Sequence, residues 1–143
     1  MGIEYRTAED VLDDIDQIFS KLIDEHDLDN NLLERWRWGE QSTRLSWTEE
    51  DGIGRNIKAL LRPDDDLRVE VQVNAWKDLD REKTEMEVNS DLPEDFELRL
   101  WRHETIEVAA ADPEELQNII HEDAFPFVQE LDQDELTRQK VLE

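Results

Sequence analysis

The sequence predicts an α+β domain: an antiparallel β-meander of about five or six strands, with an N-terminal amphipathic helix and one or two C-terminal helices packed on one face. Three observations carry this. Residues 67 to 76, Leu-Arg-Val-Glu-Val-Gln-Val-Asn-Ala-Trp, alternate apolar and polar without a break, the period of a strand with one dry face. Val11, Leu12, Ile15, Ile18, Phe19, Leu22 and Ile23 recur at spacings of three and four, the stripe of an amphipathic helix. Turn-forming clusters at Gly39 to Ser42, Asp51 to Gly54 and Pro63 to Asp66 separate the period-two segments by only a few residues, which favours antiparallel neighbours.

The helix starts after Thr7, a capping residue followed by acids that suit the positive end of the helix dipole, and runs to about His26. Leu28 to Glu34 reads as a short second turn capped by Asp29. From Arg35 the period changes to two. Arg35 to Trp38 and Thr43 to Trp47 form a hairpin with Trp36, Trp38, Leu45 and Trp47 on matching parities. Asn56 to Leu61 is the third strand, and Leu67 to Trp76 the fourth. Lys83 to Val88 reads as a returning strand with Thr84, Met86 and Val88 inward. The last strand follows Pro93, with Phe96, Leu98, Leu100, Ile106 and Val108 on the core parity. Arg102 and Glu104 interrupt that parity with charge, so the strand either bends or crosses a solvent-open gap there. Asp112-Pro113-Glu114-Glu115 combines a cap, a proline at the first helical position and acids in the first turn. Leu116, Ile119 and Ile120 give that helix an apolar face. Pro126 should break or restart it, with Phe127, Val128 and Leu131 beyond.

At 143 residues the chain is one domain's worth, and a domain of this size buries roughly 70% of its unfolded surface. Residues 1–143 read as a single domain, with the end from about 132 expected to fray and Leu142-Glu143 read as a vector remnant. With no cysteine there is no disulfide, zinc-finger or thiol chemistry. No apolar run reaches the length of a membrane span, and the first twenty residues carry six acids where a signal peptide is basic and then apolar. A cytoplasmic protein is expected, without a membrane partner and without cofactor or metal.

Forty acidic residues against 16 basic ones give a net charge of −24. High charge with low hydropathy is also the mark of disorder, but the regular periodicities argue for a folded chain. The composition resembles that of salt-adapted archaeal proteins, in which molar salt screens self-repulsion over about 3 Å. The resemblance is one of habitat, and the competing reading is an acidic nucleic-acid mimic or a binder of basic partners. Both ends are acidic: residues 1–34 carry a net −9 and residues 112–143 a net −8, whereas residues 35–63 carry +2.

Three clusters are candidates for function. Arg35, Arg37 and Arg44 interleave with Trp36, Trp38 and Trp47, a combination suited to stacking on bases or gripping phosphate and other anions. The structural alternative puts the indoles in the core and pairs the arginines with acids. Trp76 and Trp101 fall on the parity opposite their strands' aliphatics, with His103 two residues on. An aromatic patch on an uncovered sheet face marks a partner surface, a second copy of the chain included, unless the terminal segments wrap over it. Arg102, His103 and Glu104 hold the residue types for acid/base chemistry in a pocket between sheet and helices. Against that, neighbouring strand residues face opposite ways, and an ion pair at a bend is the simpler reading. Gly52-Ile53-Gly54 lacks the lysine of a phosphate loop and reads as a turn. His121-Glu122-Asp123 and His26-Asp27 lack a second histidine at ligand spacing, and Asp64-Asp65-Asp66 lacks the glycine and distal glutamate of a calcium loop.

The sequence therefore favours a non-enzymatic protein that binds a partner or ligand through a sheet face, as a homodimer or with an unidentified protein. A small enzyme using Arg102, His103 and Glu104 is the alternative, and a nucleic-acid binder through the ribbon 35–47 the third. Substrate and partner are not legible.

Overall fold

The computed structural model describes residues 8–28, 30–36, 41–63, 67–94 and 98–136. Five strands form one antiparallel sheet in chain order: β1 (Leu32–Trp36), β2 (Ser42–Thr48), β3 (Gly54–Pro63), β4 (Leu67–Asp78) and β5 (Arg99–Ala110). Helix α1 (Ala8–His26) precedes the sheet, α2 (Arg81–Val88) lies between β4 and β5, and α3 (Pro113–Asn118) follows β5. The chain then passes through a π-helical stretch, Ile119–Ala124, into α4 (Phe125–Gln129). The fold is the expected α+β meander, with five strands.

The parity of β4 decides which face is dry. Val69, Val71, Val73 and Ala75 are buried, and register carries this face through Leu61, Ala59, Ile57 and Arg55 of β3 to Thr43, Leu45 and Trp47 of β2. Against it lie α1, through Val11, Leu12, Ile15, Phe19 and Leu22, and the C-terminal helices, through Leu116, Ile120, Phe125 and Val128. Asp112 caps α3 by accepting from the Glu114 amide, and the sequence places Pro113 where a missing N–H costs nothing. Pro126 does not break the chain. The backbone widens to i→i+5 bonding just before it, with the Phe125 amide donating to the Ile120 carbonyl, and the helix runs on through the proline.

Four local expectations are corrected. Leu32 to Glu34 belong to strand β1 rather than a helical turn; Asp27 and Asn30 take left-handed backbone conformations that end helical propagation. Residues 83–88 are helical. Asp80 caps α2 by accepting from the Lys83 amide, Asn89 ends it at φ 56°, and Met86 is 80% exposed. The alternation there had no buried face to report on, so local capping decided. Val108 is out, not in. Ile106 is a bulge, because Val71 pairs with Glu107 and Gln72 with Thr105; beyond it Ala109 is 4% exposed and Val108 39%. Residues 132–136 form a packed turn rather than a frayed end, with Asp132 accepting from the Glu135 amide and Leu136 buried. The expectations for Thr7, Asp29, Arg37, Trp38, Asp64 to Asp66, Phe96 and Leu142-Glu143 lie outside the described residues, as does the side chain of Trp36.

Candidate functional site

The helices gather on one side, and among the described residues no helix packs on the other. Because a meander keeps its strands in direct register, that uncovered face is ruled into rows across the strands. One row runs Thr48, Gly54, Trp76, Trp101; the next runs Ser46, Asn56, Asn74, His103. A row of indoles therefore abuts a row of amides and imidazole. Trp76 is half-buried and leans over Gly54, where an added Cβ would come within 2.4 Å of the ring. Trp101 stands directly opposite on β5, 36% exposed. With Asn56, Asn74, Arg44 and Arg99 they line an open groove of about 400 Å³.

Asn56 forms the floor of this groove. It is 5% exposed, yet neither its carboxamide nor that of Asn74 has a hydrogen-bond partner among the described residues. The flanking arginines, by contrast, are engaged: Arg44 Nη2 donates to Glu34 at 2.7 Å, and Arg99 Nε donates to Asp78 at 2.6 Å. Asp78 is held below the usual carboxylate range by that hydrogen bond.

Beside the groove a polar chain orders the face. Arg62 Nε donates to Glu70 Oε1 at 2.8 Å, Gln72 Nε2 donates to Glu70 Oε2, and His103 Nε2 lies 3.2 Å from Gln72 Oε1. The hydrogen bond from Gln72 leads the causes that hold the Glu70 carboxyl low; burial opposes it, and the bond and charge of Arg62 assist.

No known protein family matches the chain. No curated protein or solved structure is significantly similar to it.

The other candidates are dispersed. Arg102 and Glu104 share the helix side of β5, and His103 faces the opposite way. Arg102 donates to Glu104 and to Glu135, each at 3.2 Å, and lies 5.4 Å from the ring centre of Phe127. It is a clamp between β5 and the C-terminal segment. The Arg/Trp ribbon is split between faces. Arg35 turns toward α1 and pairs with Glu9 at 2.9 Å, with Asp16 at 2.7 Å and with Asp13. Trp47 is 1% exposed and stacks on Phe125, while Arg44 faces the groove. Among the described residues no group of three His, Asp or Glu side chains is arranged to hold a metal.

Sequence reasoning missed Arg55. It sits on the core parity of β3 and is 1% exposed. Its Nε and Nη2 donate at 2.8 Å to the Val128 and Leu131 carbonyls at the end of α4. Nη1 reaches Glu49 at 2.8 Å and Nη2 reaches Asp51 at 3.0 Å. Burial pushes the Asp51 carboxyl up, but hydrogen bonds from Arg55 and the Ile53 amide outweigh it and hold the group low. Arg55 backs a second cleft of about 370 Å³, also lined by His26, Asp27, Glu50 and Gln129. The available signal was a lone arginine on an aliphatic parity, four residues after Asp51.

Proposed function

We propose that the chain is a non-enzymatic binding protein of a salt-adapted cytoplasm, and that it binds through the uncovered face of its sheet at Trp76, Trp101 and His103. One observation carries the reading. Two indoles stand opposite each other on the face that no described helix packs on, beside carboxamides that have no hydrogen-bond partner among the described residues. Folding alone favours turning such groups inward or pairing them, so a surface that keeps them outward and rigid on strands suits an external ligand.

The opposite directions of His103 and of Arg102 with Glu104 weigh against acid/base catalysis there, since a shared substrate would have to reach both sides of one strand. The net charge of −24 and the absence of cysteine support the salt-adapted, cytoplasmic setting. No helix is long and apolar enough to cross a membrane.

Affinity purification from an extract of the source cells at molar KCl tests the reading, with wild type, a Trp76→Ala/Trp101→Ala double variant and Arg102→Ala compared. A species retained by wild type and Arg102→Ala but lost by the double variant is expected. Equal retention by all three contradicts a binding surface at the indoles.

A further inference from the structure

We propose that the groove between Trp76, Trp101, Asn56 and Asn74 takes a neutral, polyhydroxylated ligand, a sugar or short oligosaccharide. The inference rests on the sheet-face reading above and names its ligand class.

Charge excludes the other classes first. The described residues lining the groove include no carboxylate, so none of them selects a cation. Its two arginines are neutralised by Glu34 and Asp78, so they offer no free cation to a phosphate. A chain of net charge −24 repels polyanions wherever salt does not screen it. A neutral ligand escapes all three constraints, and its binding survives molar salt.

The free groups then define the complement. Asn56 and Asn74 are a directly opposed pair on β3 and β4, and each carboxamide offers two N–H donors and one acceptor. Such groups are satisfied by hydroxyls, which donate and accept at once. Asn56 lies low in the groove, 5% exposed as a residue, and its carboxamide has no hydrogen-bond partner among the described residues, so its donors and acceptor remain available to a ligand. Next to the amides, the indoles present flat surfaces whose π faces are electronegative. The ring hydrogens of a pyranose are weakly positive and lie on its apolar face, so the ring can rest on an indole while its edge hydroxyls reach the amides. His103, in register with Asn74, extends the polar row in the direction a second sugar unit would follow.

The test uses the intact chain in molar KCl, with tryptophan emission and calorimetry read against a panel of maltotriose, cellotriose, mannotriose and chitotriose. At least one trisaccharide is expected to bind and alter indole emission, with an affinity unchanged between about 1 M and about 3 M KCl. Asn74→Ala and Trp101→Ala should each weaken it about tenfold or more, the loss of roughly one good contact. Their melting temperatures should stay at the wild-type value, separating lost binding from lost fold. Binding of adenosine or uridine with loss in the same variants, and of no saccharide, overturns the sugar assignment and leaves the sheet face as the binding surface. No response to any probe, together with equal retention of cell-extract species by the Trp76→Ala/Trp101→Ala variant, overturns both.

Discussion

The indole of Trp76 lies across Gly54, its directly opposed residue on β3, so closely that any β-carbon there would meet the ring at 2.4 Å. The backbone at Gly54 is not left-handed, so space rather than conformation makes glycine the fitting residue. The same contact sets the tilt of Trp76 and with it the shape of the groove.

Gly54→Ala should therefore displace the indole while leaving the sheet intact. A loss of about 1–3 kcal/mol is expected from overpacking, together with a change in tryptophan emission and loss of groove binding. Chemical denaturation and emission spectra check this; a wild-type spectrum and stability would show that the ring moves aside without consequence.

Arg55→Ala should be among the most destabilising single changes in the chain. It strips two donors from the carbonyls that end α4 and removes the partner of Glu49 and Asp51. A cost of about 2 kcal/mol or more is expected, chiefly because two buried carbonyls lose a charged donor; Glu49 and Asp51 stay partly solvated. Arg55→Lys should recover little, because one ammonium cannot reproduce the fork of donors. Urea denaturation of both variants gives the comparison.

His121 contributes to the pH dependence of stability. Burial pushes its pKa below the ordinary 6.5; the charge of Glu25 opposes this, and Lys21 and His26 add to it. Its Nε2 is buried without a partner among the described residues. The folded state therefore binds its proton less readily than the unfolded state. Its contribution is complete above pH 6.5 and is lost as pH falls below that value. His121→Gln should flatten the stability profile in that window, as measured by thermal melts across pH.

The acidic surface gives a prediction about salt. With 40 acids against 16 bases, self-repulsion acts on the folded chain until salt screens it. The denaturation midpoint should rise from low salt to molar KCl, and salt-indifferent stability would contradict the salt-adapted reading.

Much of this architecture is written locally. The alternation of β4 and the stripe of α1 each repeat often enough to fix a dry face, and parity alone separates Trp76 and Trp101 from the aliphatics. What escaped the sequence depends on distance or on the lack of burial. Helix α2 buries nothing, so its side-chain pattern carried no information and the Asp80 cap decided its form. The bulge at Ile106 reverses the parity of Val108 through pairing with β4, which no run of residues within β5 announces. Arg55 is held by carbonyls 73 and 76 residues away. The pairing of Asn56 with Asn74 follows from the β3–β4 register, and no motif marks it.

Binding through the face at Trp76 and Trp101, as proposed, can be read residue by residue. The most direct measurement is a proton–nitrogen correlation spectrum of the intact chain in molar KCl, titrated with the trisaccharide and nucleoside panel. Indole signals of Trp76 and Trp101 and the carboxamide signals of Asn56 and Asn74 should shift together. The buried Trp47 indole, stacked on Phe125 on the helix side, should stay still. Shifts centred on Trp47 or the helices, or none for any probe, would contradict the account.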